Sequence, residues 1–495
     1  PFINGLLQRF ERRLDGIPLA IELAASRMQS MTVEEIRQRL DDRFRLLVGS
    51  RRGLERHQTL RHAVQWSYDL LGEAEKALLQ RCSVFAGGFD LAGACAVSGS
   101  SDEYATVDLL DALVRKSLLV ADRSTKRTRF SMLETIRQFA EDQLVQSGDV
   151  EVARSAHARH FAELEDEINA LWDGPRQRES YVWLATEIAN LRTAFRWATD
   201  HDDLDTAIAI VCTAALVGFW CLQHEPLRWA EEIIPPARTA QHRRLAQLYS
   251  MAVLCFTTGR IEEAIPYAAA GQEAVLSGRF DAIRREAEAS LASPYAAINQ
   301  IDRWVEWCRT VMMLHPEAHI HTRAIFTLAL AMAGAEDEAA AVSVELPAMS
   351  DAIDNPTFAA YALFAYGTAH RDRSPIPAYE ALRRGLRIAQ ESGISNTESS
   401  IATMLAALAT IYGEPADALD YSMLAIRFYH DSGNFFLVKN SLAPLIGLFD
   451  KLGRPEAAAT ISGFADIPFN RHALPELDKA TTHVREALGS EVYES

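Results

Sequence analysis

A chain of 495 residues with 48% apolar and 24% charged side chains exceeds one ordinary core, which predicts two or three globular domains and excludes disorder as the general state. The formal net charge of −17 excludes a generalised nucleic-acid-binding surface, because phosphate neutralisation supplies most non-specific affinity. Six cysteines, Cys82, Cys95, Cys212, Cys221, Cys255 and Cys308, stand apart without a Cys-x-x-Cys pair and read as reduced, buried thiols of a cytoplasmic protein.

In chain order, the first informative stretch is Gly16-Ile17-Pro18 ahead of Leu19 to Ala25. Gly16 permits a backbone turn, and Pro18 fits a first helical residue, whose N–H has no partner anyway. Leu19, Leu23 and Met28 fall near one face of the helix that follows, while Ala20, Ala24 and Ala25 let another helix approach closely. In "MTVEEIRQRL" Thr32 serves as N-cap and Glu35 completes a capping box. Arg51, Arg52, Arg56, His57 and Arg61 form one basic cluster, read first as a solvated linker.

From about Thr59 to Gly148 three helical segments precede "SLLVA" and "TRFSML", two short strands around the polar turn "DRSTKR", and a helix from about Glu134 to Gln146. Helices followed by a two-stranded wing describe a winged helix. Its candidate recognition segment, "ATVDLLDALVRKSL", offers only Arg115 and Lys116 as cations, against Asp108 and Asp111. Direct readout needs several Arg, Asn or Gln side chains on the exposed face, so an intramolecular role is favoured over DNA binding.

The stretch Gly16–Ala25, followed by "EEIRQRLDDRFRLL", "RHQTLRHAVQWSYDLL", "RCSVFAGGF" and "FSMLETIRQFAEDQL", resembles the STAND class of signal-transduction ATPases. The bacterial branch is the nearer likeness, with LuxR-type regulators and actinobacterial ATPases fused to adenylate cyclases. The resemblance is dense from Asp15 to Gly148 and looser beyond. It implies that Gly16 and Pro18 belong to the nucleotide site, with Pro18 touching adenine once the ATPase core is present. A phosphate cradle needs a Gly-rich loop ending in Lys and Ser/Thr, and no Gly-Lys pair occurs in this sequence. Nor does an apolar strand ending in paired acids precede Gly16. This chain alone is therefore expected to bind no cofactor and to be no enzyme, with ATP or ADP and magnesium belonging to a full-length parent. Relatives carry a Met-His-Asp triplet near the end of the winged helix, whose His meets the ADP β-phosphate. Met132, Leu133 and Glu134 stand at that sensor position, and Leu133 has no side-chain donor. On pattern alone, Met132 and Leu133 read as core residues where a strand enters a helix.

After Gly148 the chain turns to short Ala-rich amphipathic helices. Three segments share a phrase, "GRIEEAIPYAAAGQEAV" from Gly259, "GEPADALDYSMLAIRFY" from Gly413 and "GRPEAAATISGFAD" from Gly453. Each places Gly at a tight inter-helix turn and an Ala at a packing position: Ala264, Ala418 and Ala458. Gly413 and Gly453 stand forty residues apart, near the ~34-residue period of tetratricopeptide repeats. Such arrays bury their apolar faces by stacking and leave a curved groove, the expected seat of a protein or small-molecule effector. Trp220, Trp229, Trp304, Trp307 and Tyr361 are expected in the core of these hairpins. The run from Ala207 to Leu222 is too short to cross a bilayer and reads as a buried hairpin helix, so no membrane role is expected.

No nucleophile elbow and no His-Glu-x-x-His motif occurs. His157 and His160 share a helical face without a third ligand, and His315, His319 and His321, interrupted by Pro316, read as surface or capping histidines. The chain opens on Pro1 and closes on "REALGSEVYES" without a capping signal, and both ends are expected to be cut. The reading is mainly α: a helical subdomain at the end of an ATPase module over 1–50, a winged-helix domain over 51–148, and an α-α superhelix of tetratricopeptide-like repeats over 149–495. The expected function is signal relay within a transcriptional regulator that meets DNA only through a domain absent here. The alternatives are the regulatory part of a cyclase-fused ATPase and a free-standing protein-binding scaffold.

Overall fold

The computed structural model describes residues 64–124, 127–431, 435–489 and 493. Gly16, Pro18, Thr32, Glu35 and the basic cluster of Arg51, Arg52, Arg56, His57 and Arg61 lie outside the described residues. Contacts divide the chain into two compact units, the first holding 64–163 and 186–206 of the described residues, the second 164–185 and everything from 207 onward.

In the first unit, α1 (Glu73–Cys82), α2 (Leu91–Ser98) and α3 (Glu103–Arg115) precede β1 (Val120–Asp122) and β2 (Arg129–Ser131), and α4 (Glu134–Ser147) and α5 (Val150–Glu163) follow. Local chemistry sets these boundaries. Asp90 and Asp102 cap α2 and α3 by accepting the Gly93 and Ala105 N–H groups at 2.9 and 3.1 Å. The two strands pair antiparallel, with Ala121 opposite Phe130. Phe89 adds a bridge to Phe130, each residue donating its N–H to the other's carbonyl at 2.8 and 2.7 Å, so a third segment extends the expected two-stranded wing. Leu79, Leu110, Leu113, Phe139 and Leu144 are fully buried between the helices and give this unit its core.

The turn Ala86-Gly87-Gly88, which enters that bridge, is held by one side chain. Asn190 Oδ1 accepts the N–H groups of Ala86 and Gly87 at 2.7 and 3.1 Å, and its Nδ2 donates to the Gly88 carbonyl at 2.9 Å. Glu187, which accepts from Asn190 Nδ2 at 2.7 Å, also pairs with Arg129 on β2. Gly88 takes φ +78, and a Cβ there would meet the Phe130 carbonyl oxygen at 2.8 Å, so this position tolerates only glycine without strain.

Helices α6 (Glu165–Asp173), α7 (Gln177–Asp200), α8 (Leu204–Trp220), α9 (Glu225–Thr239), α10 (Leu245–Ala252) and α11 (Ile261–Ser277) come next. They are followed by α12 (Pro294–Ala297), α13 (Ile301–Leu314), α14 (Ile320–Met332), α15 (Glu336–Ser343), α16 (Leu346–Ala352), α17 (Pro356–His370) and α18 (Pro375–Ser392). The last are α19 (Ser395–Tyr412), α20 (Pro415–Asp431), α21 (Phe435–Lys451), α22 (Pro455–Ala465), α23 (Pro468–Ala473) and α24 (Leu477–Leu488). From α17 to α22 each helix packs on its successor, α22 packs on α24, and α14 with α17 and α19 with α21 pack across the intervening helices, the stacking expected of helical repeats. Ala264, Ala418 and Ala458 are fully buried. Gly259 and Gly453 adopt φ of +88 and +66 at helix ends, whereas Gly413 is extended at φ −115 and does not use its left-handed freedom. The run around Ala207 to Leu222 is α8, buried on nearly all sides, and among the described residues no helix is long and apolar enough to cross a membrane.

Candidate functional site

The sensor position lies where β2 enters α4. Leu133 is the N-cap residue of α4 and is 39% exposed, so it is not the core residue its pattern suggests. The strand delivers Met132 only half-buried. Glu134 binds Arg137 through both oxygens at 2.7 and 2.9 Å, and Arg137 goes on to Glu141 at 3.0 Å and to the Ser83 carbonyl at 3.3 Å. Glu134 thus anchors the start of α4.

The candidate recognition helix is α3. Arg115 donates to Asp111 at 2.7 Å, and Lys116 donates to Glu75 at 2.7 Å, a bond that holds the Glu75 carboxyl below its ordinary range. Both cations of the segment are occupied by carboxylates, while Tyr104 and Val107 stand exposed on the helix.

The second unit contains the more informative feature, a cavity of about 220 Å³ among α8, α10, α13, α14, α17, α19 and α21. Aromatic side chains form much of its wall: Phe219, Trp220, Trp304, Tyr361, Phe364 and Phe469. Trp220 meets Phe219 edge-on at 5.0 Å and Tyr361 edge-on at 5.9 Å. Hydroxyls and amides complete the lining, among them Asn396, Thr397, Ser400, Thr403 and Asn440. Some of these are already partnered: Thr403 donates to the Ser399 carbonyl at 2.9 Å, and Ser400 stands 3.3 Å from the Tyr429 hydroxyl. Others are not. Trp304 Nε1, His321 Nδ1, Thr397 Oγ1 and Asn440 Oδ1 are buried polar atoms without a partner, an arrangement that costs about 1–3 kcal/mol for each group left unmet.

The sequence suggests surface or capping roles for all three histidines near Pro316, and the structure separates them. His319 caps α14, its Nδ1 accepting the His321 N–H at 3.2 Å. His315 is half-buried, with Nε2 4.0 Å from Glu288. His321 is a correction: it is buried against Phe358, Tyr361 and Trp220 with ring centroids 5.1, 5.7 and 6.3 Å away, and it lines the cavity. Burial pushes its imidazole down to about 3, with His319 and Arg285 acting in the same direction, so it is neutral at physiological pH. Of the expected core aromatics Trp220, Trp229, Trp304 and Trp307 are buried and Tyr361 is half-buried, and Trp220, Trp304 and Tyr361 also face this space. His157 packs between Phe85 and Phe161 at 4.8 and 5.0 Å, and among the described residues no cluster suited to a metal ion occurs. Among the described residues the cavity lining contains no Asp, Glu, Lys or Arg side chain. Arg371, whose guanidinium donates to the Ala473 carbonyl at 3.1 Å, is itself paired with Asp372 and Glu476.

Residues 71–145 match the family described as winged helix-turn-helix domain. Proteins of Mycobacterium bovis and Mycobacterium tuberculosis, provisionally named as HTH-type transcriptional regulators, are 42% identical over 234 residues, which is 46% of this chain and 26% of theirs. The chain spans about a quarter of the length of those curated relatives. An uncharacterised Mycobacterium tuberculosis protein is 42% identical over 170 residues, 33% of this chain and 43% of its own. Among solved structures, a STAND protein with a tetratricopeptide repeat sensor from Pyrococcus horikoshii aligns with 96% of this chain and 71% of its own, at 14% identity and a TM-score of 0.47. A Rap protein complexed with competence and sporulation factor aligns with 66% of this chain and 99% of its own, at 12% identity and a TM-score of 0.41.

Proposed function

We propose that this chain is the regulatory signal-relay part of a STAND-type transcriptional regulator, in which the repeat unit takes up an effector and the winged helix passes the change on. The observation that carries the reading is the cavity, because a concave, mostly apolar site lined by a few hydroxyl and amide residues is how proteins hold small ligands. The names of the mycobacterial relatives support the transcriptional half of the reading. The winged helix acts here as a relay, since both cations of its candidate recognition segment are committed to carboxylates. DNA contact and the phosphate-binding part of a nucleotide site, which Gly16 and Pro18 would complete, belong to other parts of a longer polypeptide, and the chain itself performs no catalysis. The test is to place Ala287→Leu, which fills the cavity from its lining, in the chromosomal gene and compare transcripts with wild type. A restricted set of genes should change, and an unaltered transcriptome removes the proposal. Calorimetric titration of the chain with ADP, and with ATP plus magnesium, should give no heat of binding.

A second reading, a protein-binding scaffold, is favoured by a separate groove of about 850 Å³ beside α18 and α19, where Tyr379, Arg383, Arg387 and Tyr412 border Leu408 and Ala409. Co-purification of a stoichiometric protein partner that Arg387→Glu abolishes would support it over the effector reading.

A further inference from the structure

We infer that α23 is a strap that gates the cavity of the repeat unit, rooted in the C-terminal helices and fastened on its far side by a hydrogen bond between His472 and Asn299. This six-residue helix borders two empty spaces. Phe469 and Ala473, with Leu474 just after the helix, line the cavity of about 220 Å³. Arg471, His472 and Ala473 line a second cavity, of about 240 Å³, against the end of α14 and the turn from α17 to α18. Close packing holds most elements of a folded chain in place, and one that borders open space on two fronts has room to move.

The root is firm. Asn470, fully buried, donates from Nδ2 to the Ala465 carbonyl at 2.6 Å and to the Lys439 carbonyl of α21 at 3.1 Å. Leu474 and Leu477 are buried in one cluster with Ile446 of α21 and Ala458 of α22. Arg371 adds a bond to the Ala473 carbonyl at 3.1 Å and an ion pair with Glu476 at 3.0 Å.

Toward α12 and α14 the strap is held differently. It packs on both helices, but Phe469, His472 and Ala473 are only half-buried. The polar tie there is a surface bond, His472 Nε2 to Asn299 Oδ1 at 2.7 Å, between residues 173 positions apart in the sequence. Asn299 follows α12 with φ +59, a backbone state that asparagine tolerates better than most residues. Loss of one such bond shifts an opening equilibrium about 3–10-fold, less than the buried bonds and apolar contacts of the root would require, so the far side opens first. Once detached, six residues do not hold helical form in water, because isolated helices shorter than about 12 residues are marginal. Opening therefore melts α23 and widens the cavity on this side. The strap controls entry whatever the occupant is, and unaltered transcripts in Ala287→Leu would leave it standing.

Hydrogen exchange and thiol labelling of the full chain test the strap and the gate separately. Peptides covering 467–475 should exchange about 3–10-fold faster in Asn299→Gly, which suits the positive φ, and in His472→Ala, while α22 and α24 exchange as in wild type. Asn299→Asp retains the acceptor and should stay within about twofold of wild type. Ser290→Cys places a thiol in the cavity lining. Its reaction with methyl methanethiosulfonate, read at that residue by peptide mass, should quicken about 3–10-fold when Asn299→Gly or His472→Ala is added. Circular dichroism checks that the variants fold, and either latch variant decides if the other does not.

Unchanged exchange at 467–475 overturns the latch. Acceleration spread equally over α22 and α24 overturns the root. Faster exchange of the strap without faster labelling of Ser290→Cys overturns its role as a gate.

Discussion

Two histidines make acid stability a property of single residues. Burial pushes His157 down to about 3, with His160 and Arg154 adding to the effect and Asn190 opposing it, and burial does the same for His321. Each folded-state value lies below the unfolded value near 6.5, so between the two the unfolded chain binds a proton that the folded chain refuses. Stability is therefore complete above about pH 6.5 and falls as pH drops toward 3, by about 2 kcal/mol per histidine at pH 5. Urea unfolding at pH 7 and pH 5 checks this: the midpoint should fall in wild type, and fall less in His157→Gln even though that variant starts from a lower value. Neither burial is legible in the sequence. His321 is the second residue of α14, and what surrounds it comes from Trp220 on α8 and from Phe358 and Tyr361 on α17, contacts that no local spacing encodes. His319, by contrast, does what its place before an apolar run suggests, because capping is a local interaction.

At the scale of elements, helix crossings distinguish glycines that look alike in the sequence. Gly367 on α17 faces α18, and a Cβ there would collide with the side chain of Leu382, coming within 2.8 Å of its Cδ2 and 3.1 Å of the Ala378 carbonyl. Gly463 on α22 has no atom within 4 Å of the same position. Gly367→Ala should cost about 1–3 kcal/mol through overpacking, whereas Gly463→Ala should gain about 0.5–1 kcal/mol from helix propensity. Paired thermal melts decide, and equal shifts would contradict the packing described. The wing yields a second expectation. With Arg115 and Lys116 committed to Asp111 and Glu75, this chain should leave the anisotropy of a labelled DNA duplex unchanged up to ~10 µM protein at ~150 mM salt. Alternation and turn residues make the wing and α4 readable within two residues of their ends, except that the first strand begins at Val120 and not at Ser117. The added bridge at Phe89 is hidden, because it depends on a turn fixed by Asn190, about a hundred residues further along the chain. Leu133 misleads for a related reason: an apolar residue between strand and helix looks internal, yet the N-cap position turns it outward.

For the whole molecule, the acidic balance and the repeat period tell most of what the sequence can tell. A net charge of −17 over a helical array with buried small residues at Ala264, Ala418 and Ala458 fits a surface that repels nucleic acid and an interior built by stacking. The candidate site is a different matter. Its lining is drawn from α8 through α23, one to five residues at a time, each an ordinary member of an amphipathic pattern. Trp220 and Trp304 read as core and are core, whereas Tyr361 is only half-buried, and only the assembled stack shows that all three surround empty space. Of the parts of the STAND resemblance that concern nucleotide, Gly16 and Pro18 fall outside the described residues, and the sensor position at Met132, Leu133 and Glu134 is described.

The lack of ionised side chains in the described lining of the cavity separates two kinds of input. The exterior of a protein with this charge responds to ionic strength, since every exposed carboxylate is screened within about a Debye length of ~8–10 Å. An uncharged chamber occupied by an uncharged molecule has no such dependence. Occupancy should therefore be the same in a dilute and in a salt-stressed cell, leaving the chemical message intact while osmotic conditions vary around it.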